Sequence, residues 1–221
     1  MNKKYLLVLI FIIPLKLMAQ KPSDLELWVG GRVNFKFNKT LSLDVLNQTR
    51  FDNKISTFDK TFLDFGLKIK LGKHFGLKPA YRFSMGAGNK FKHRVALDGT
   101  YKWSKKGFPF LIGYRMRFQQ ELFAKKTYLR NKIKVGYKLS KLVDPFLAYE
   151  IYFRFNKKNE FRVSRLTLGL DWRITKKLHV ASYYRIQEDI FIGSPERQHI
   201  IGLMIDYKFR PKKKVHVSNI D

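Results

Sequence analysis

From Leu25 onward, apolar residues occupy every second position in run after run, and short polar turns separate the runs. A period of two marks β-strands whose faces differ in polarity, and no helical period of useful length interrupts it. The first run, "LELWVGGRVNFKF", carries Leu25, Leu27, Val29, Val33, Phe35 and Phe37 on one parity. Leu41 to Val45, Leu63 to Leu71, Phe75 to Phe83, Val95 to Trp103 and Phe110 to Phe118 follow. "YLRNKIKVGYKL" (128–139), Leu147 to Phe155, Leu166 to Ile174, Leu178 to Ile186 and Ile201 to Phe209 bring the visible strands to eleven.

The joints at 38–40, 72–74, 104–107, 140–143 and 175–177 are tight, whereas those near 52–60, 85–92, 121–127, 156–160 and 188–197 read as mostly longer. Short turns at one end and longer loops at the other describe an antiparallel up-and-down meander. The expected fold class is all-β, a transmembrane barrel. Single-chain bacterial barrels usually have an even strand number, and residues 21–28, "KPSDLELW", are the only material for one more strand. Twelve strands are therefore expected, with ten as the alternative.

Alternation alone fits two opposite architectures. In a secreted soluble barrel the apolar face points inward; in an outer-membrane barrel it meets lipid and the charged face lines the lumen. Three features favour the second. Small residues recur at mid-strand on the polar parity, at Gly66, Ala80, Ala96, Gly113, Gly136, Ala148, Gly169, Ala181 and Gly202, where a narrow lumen needs room for long side chains opposite. Long charged residues share that parity: Arg32, Asp64, Arg82, Asp98, Arg115, Arg117, Glu150, Arg154, Arg165, Asp171, Arg173, Arg185 and Asp206. Opposite charges confined to one face imply an internal ion-pair network, with Arg82, Arg115, Arg154 and Arg185 pairing with Asp64, Asp98, Glu150 and Asp171. Finally, Tyr101, Trp103, Tyr137, Trp172, Tyr207 and Phe209 gather on the apolar parity near the tight-turn ends, as an aromatic girdle at a bilayer interface would.

Charge and the N-terminal segment sharpen this picture. The formal net charge is +28, from 45 Lys and Arg against 17 Asp and Glu, a balance that suits a polyanionic partner or an anionic membrane surface. "MNKKYLLVLIFIIPLKLMAQ" has a basic start, an apolar run from Tyr5 to Ile13, a break at Pro14 and a small residue, Ala19. That layout reads as a signal peptide over 1–19, and its apolar run falls short of the roughly 20 residues a spanning helix requires. Export argues against nucleic acid. The expected organisation is a barrel over 20–210 and a basic periplasmic tail over 211–221. With no cysteine in the chain, disulfides, thiolate metal sites and a lipoprotein anchor are excluded.

The turn-and-strand stretches "FNKTLSLDV" and "ITKKLHV", together with "YLRNKIKVGYKL" and "RLTLGLDW", resemble an uncharacterised family of Bacteroidota outer-membrane proteins, domain of unknown function 2490. The resemblance covers nearly all of the mature chain and implies an outer-membrane barrel. It carries no catalytic residues. The "GLMIDYKF" strand (202–209) also resembles the terminal signal by which barrels are recognised for insertion.

Catalytic chemistry is hard to place. His74 lies in a tight turn, His179 beside one, and His216 in the tail, while His93 and His199 fall at loop ends on the apolar parity. Ser84, the nearest lumen-parity serine, has no histidine on its own face nearby, so no nucleophile and base can be set together. The expectation is no enzyme activity, with a lipid-modifying acyl hydrolase or acyltransferase as the alternative. No cofactor or metal site is expected, because the acids are interleaved with more numerous cations. "GAGNK" (86–90) reads as a loop. Lys54, Lys90, Lys92, Lys125, Lys126, Lys157, Lys158 and Arg197 near the longer joints suggest contact with an anionic glycolipid. Lys36, Lys68, Lys70, Lys102, Lys138 and Lys208 suggest a basic ring at the other mouth. Outer-membrane lipids and the insertion machinery complete the expected partners, and the expected role is a narrow anion-biased pore or a structural or docking component.

Overall fold

The computed structural model describes residues 23–124, 126–155, 159–191 and 195–209; the expected signal peptide (1–19) and tail (211–221) lie outside them. Eleven strands are present: β1 (Ser23–Lys36), β2 (Leu41–Asp52), β3 (Thr57–Leu71), β4 (Phe75–Gly86), β5 (Lys90–Trp103), β6 (Phe110–Glu121), β7 (Lys126–Tyr137), β8 (Val143–Phe155), β9 (Glu160–Arg173), β10 (Leu178–Asp189) and β11 (Arg197–Phe209). Each pairs antiparallel with its neighbours in sequence, and β1 closes the barrel by pairing with β11 in parallel. Ser23 sits beside Arg197 and Phe35 beside Phe209.

This corrects the expected strand number of twelve, and ten as well. Residues 23–28 are not a separate strand; they are the first half of β1, which runs on through Gly30 and Gly31 without a turn. An odd number of strands in an up-and-down barrel leaves one pair parallel, and parallel ladders also saturate both edges. Evenness is therefore not required for closure.

The expected difference between the two ends is also corrected. Joints 53–56, 87–89, 122–125 and 156–159 are as short as 37–40, 72–74, 104–109, 138–142 and 174–177; the joint at 190–196 is longer. Pairing continues where the side chains turn polar, as at Thr57 and Lys60, which lie beside Asp52 and Arg50 across the ladder. Polar residues there looked like loop. The tight turns have local causes. The Asn38 carboxamide oxygen accepts from the amides of Thr40 and Leu41, both at 2.8 Å, Thr175 Oγ1 from Lys177 and Leu178, and Ser140 Oγ from Leu142 and Val143. These are Asx and Ser/Thr turns. Gly72 and Gly107 supply left-handed backbone, at φ 78° and 81°.

The strand registers compound to a stagger of about 14 residues per circuit, which for eleven strands gives a tilt of roughly 40° and a backbone cylinder of about 11 Å radius. Arginines from opposite walls of such a cylinder can meet across it. Burial fixes which face is inside. Leu97, Leu147 and Ile205 are 50%, 49% and 46% exposed, whereas Asp44, Asp98 and Glu150 are 2%, 2% and 4% exposed. The apolar face points outward and the charged face inward, the inverse of a soluble barrel, so a water-soluble barrel with an apolar interior is ruled out.

Candidate functional site

The site is the lumen, and its packing begins with glycine. A Cβ on Gly66 would lie 2.8 Å from the Lys78 side chain, one on Gly169 would lie 2.6 Å from the Phe146 ring, and one on Gly202 would run into the Tyr183 ring. Phe146 and Tyr183 face their glycines directly across the ladder. These glycines make room for long neighbours, as the small-residue pattern on the polar parity anticipated.

The long neighbours form a lattice of ion pairs. Arg82 donates to Asp64 at 3.0 and 2.8 Å, and Arg117 holds Asp98 through both oxygens, at 2.5 and 2.7 Å. Glu150 receives Arg115 at 2.6 Å and Arg130 at 2.9 Å, with Arg165 at 3.7 Å. Arg32 pairs with Asp206 at 3.2 Å and Arg173 with Asp144 at 2.6 Å. Four of the eight expected partners differ, Asp98 being taken by Arg117. Arg154 pairs with Glu160 at 2.5 Å, toward the 156–159 joint, and Asp171 takes Lys134 at 2.6 Å. Arg185 donates to the Thr167 hydroxyl at 2.9 Å and pairs with no carboxylate among the described residues. Parity places a side chain in the lumen, but the stagger decides whom it meets.

Aromatic rings interleave with these charges. Arg50 lies 3.5 Å from the Trp28 ring centroid, Arg82 3.8 Å from that of Phe62, Arg130 4.2 Å from that of Tyr152, and Lys134 3.7 Å from that of Phe146. Arg185 lies over both Trp28 and Tyr183. Arg82, Arg130 and Lys134 combine a ring with a carboxylate, whereas Arg50 and Arg185 stack on rings with no carboxylate partner among the described residues. Sequence reasoning missed the rings and Arg50. The rings stood on the polar parity as isolated exceptions, and Arg50 lay between the run Leu41 to Val45 and the joint near 52–60, in a stretch assigned to no element. Lys78 was also missed. Its ammonium sits 3.9, 3.9 and 4.0 Å from Asp44, Asp64 and Asp98, a cation shared by three carboxylates.

Two cavities open along the lumen, the second within this lattice, and Arg32, Lys78 and Arg115 border both. One, of about 800 Å³, opens at the mouth formed by the turns at 37–40 and 72–74 and is lined by Lys36, Lys68, Lys70, Lys102 and Lys208 of the expected basic ring. Lys138 does not line it; its ammonium donates to the Phe108 carbonyl at 3.2 Å. The other, of about 520 Å³, reaches toward the opposite mouth past Lys60, Lys92 and Arg94.

Outside, the six girdle residues stand on the outward face at the Phe209 end. Trp172 is 37% and Tyr207 39% exposed, Tyr137 lies 5.4 Å from Phe110 and Trp103 5.2 Å from Phe108 between ring centroids, Tyr101 packs on Phe75, and Phe209 on Phe35. A second aromatic band, unanticipated, circles the other end. Phe83 stacks on Phe91, His93 meets Phe123, and Phe153 meets Phe161. In this band His93 Nδ1 and the Tyr81 hydroxyl are 2.6 Å apart, as are His199 Nδ1 and the Tyr184 hydroxyl. Ten residues of β5 separate His93 from Trp103, about 25 Å of height at a roughly 40° tilt.

Of the expected loop cations, Lys125, Lys157 and Lys158 lie outside the described residues. Lys54 is in the turn at 53–56, while Lys90, Lys92, Lys126 and Arg197 are strand residues, and Arg197 pairs with Glu188. No group of three or more His, Asp and Glu residues placed to hold a metal occurs among the described residues.

A family model described as "Protein of unknown function (DUF2490)" matches residues 25–189, which hold ten of the eleven strands in whole or part and most of the lumen lattice. No curated protein matches. Among solved structures, the chain is similar to the outer-membrane expressed OmpT of Vibrio cholerae, at a TM-score of 0.35 and 10% identity, over 67% of this chain and 54% of that one. The chain thus spans about half the length of that protein. With three quarters of its length under the family model, the chain belongs to the DUF2490 family of proteins of unknown function.

Proposed function

We propose that this chain is an integral barrel of a Gram-negative outer membrane whose lumen is a narrow, largely occluded and anion-biased conduit. The observation that carries this reading is the inversion of faces: an apolar belt outside, closed ion pairs and stacked guanidiniums inside. A belt of about 25 Å between two aromatic bands matches the apolar height of membrane barrels. Inside, buried carboxylates such as Asp64, Asp98 and Glu150 are held by cations, while Arg50 and Arg185 stack on rings instead. The surplus charge met by a permeating ion is positive.

The mouth of turns 37–40 and 72–74 would face the periplasm, with lipids around the belt, and the insertion machinery would recognise Tyr207 and Phe209. Lys54 and Lys90 at the opposite mouth would contact anionic glycolipid. Catalysis is not proposed. His93 and His199 point outward and are engaged by tyrosine hydroxyls, and no serine is hydrogen-bonded to either among the described residues, which gives the lipid-modifying alternative no support.

The three tryptophans make the membrane placement testable. Trp28 is buried in the lumen, at 3% exposure, while Trp103 and Trp172 stand on the outward face. In single-tryptophan variants refolded into vesicles of brominated phospholipid, Trp103 and Trp172 should be quenched and Trp28 should not. Strong quenching of Trp28, or none of Trp103 and Trp172, would overturn the placement.

A further inference from the structure

The cavity of about 800 Å³ at the Phe209 end differs in chemistry from the lattice beside it. Ten cationic side chains line it against two carboxylates. Both carboxylates are already engaged: Asp44 receives Asn34 at 2.6 Å and Lys68 at 2.6 Å, and Asp98 is held by Arg117. Lys36, Lys39, Lys70, Lys73 and Lys102 form no ion pair with a carboxylate among the described residues.

The two halves of the lumen also divide the cations by type. The lattice is built chiefly from arginines, whose planar forks suit carboxylates and rings, whereas the cavity wall is built mainly from lysines, each a compact charge with three rotatable donors. Gathering like charges around one wet space is unfavourable for the barrel alone. An anion of several charges would turn that repulsion into attraction. The volume lies in the range of small-molecule sites, and Lys78 and Arg115 stand where this cavity borders the second one.

We propose that this cavity is a binding site for a soluble, multiply phosphorylated small molecule, held chiefly by Lys36, Lys70 and Lys102 with Lys39 and Lys73 at its rim. The inference rests on the reading of the lumen as wet and cation-lined, and not on whether the barrel conducts. Phosphate is favoured because its oxygens carry concentrated charge that lysine ammoniums can approach from several directions. A free molecule is favoured over a lipid headgroup because the wall faces the lumen, behind a closed ladder of strands.

The test is titration calorimetry of the full-length barrel in detergent micelles with inorganic tripolyphosphate. Wild type should bind one equivalent saturably. The triple variant Lys36→Gln, Lys70→Gln, Lys102→Gln should bind about tenfold more weakly or worse, while Lys60→Gln, Lys90→Gln, Lys92→Gln, with the same three charges removed at the other mouth, should stay within about threefold. Phosphatidic acid in the micelle should not compete. Circular dichroism and heat-dependent gel mobility identify variants that fail to fold, and single Lys→Gln changes then replace the triple. Absent binding, equal loss in both triples, or displacement by phosphatidic acid would each overturn the site. A barrel that bound tripolyphosphate as expected yet conducted cations selectively would refute the pore reading and leave the site standing.

Discussion

At the scale of single residues, the lumen depends on where side chains are missing. The Tyr183 ring occupies the space that any side chain at position 202 would need, and it meets Arg185 at 4.7 Å from its centroid. Gly202→Ala should therefore destabilise the barrel by about 2 kcal/mol, in the range of overpacking. Shortening the ring in the double variant with Tyr183→Ser should recover most of that loss, because the two changes act on one volume. Urea unfolding in micelles, followed by tryptophan fluorescence, measures both, and an unchanged midpoint for the single variant would show that the contact is absent. The need for small residues was legible in the sequence, since glycine and alanine recurred on the polar parity. Their partners were not. Phe146 and Tyr183 read as exceptions to a polar face until the register set each opposite a glycine.

At the scale of strands, hydrophobic alternation located all eleven elements, but the polar halves of several were left out of the runs or taken for loops. β2 is an example: after Val45 its residues are mostly polar, and it continues to Asp52 by pairing with β3 through a bulge between Arg50 and Phe51. The error concealed Arg50, whose guanidinium covers Trp28. The parity of the strand count failed for a different reason, because evenness is a habit of bacterial barrels and closure has no need of it. The parallel β1–β11 seam is directly testable in a chain that has no cysteine of its own. Val29 and Leu203 are register partners across it, so Val29→Cys with Leu203→Cys should form an intramolecular disulfide under mild oxidation. Val29→Cys with Tyr184→Cys, two strands apart at least, should not. Faster migration of the first variant on a non-reducing gel is the expected result; no cross-link would point to a different closing strand.

At the scale of the whole molecule, fold class and the orientation of the two faces were readable because both follow from parity alone. The charge network was readable as a set of residues and unreadable as a set of pairs: Arg154 and Arg185 share the lumen with Asp98 and Asp171, yet neither meets either one. A stagger of about 14 residues carries each strand's side chains past those of its neighbours, and only the closed register reveals who is adjacent. What results is a cylinder about 11 Å in radius, lined along its middle by arginines, rings and Lys78, with one cation-lined cavity at the Phe209 end and a second that runs through the lattice toward the other mouth. The measurement that tests this most directly is single-channel recording of the purified barrel in a planar bilayer at low and high salt. The expected result is no conductance, or a small anion-selective one whose selectivity weakens as salt screens the lumen charges. A large, cation-selective conductance would contradict it.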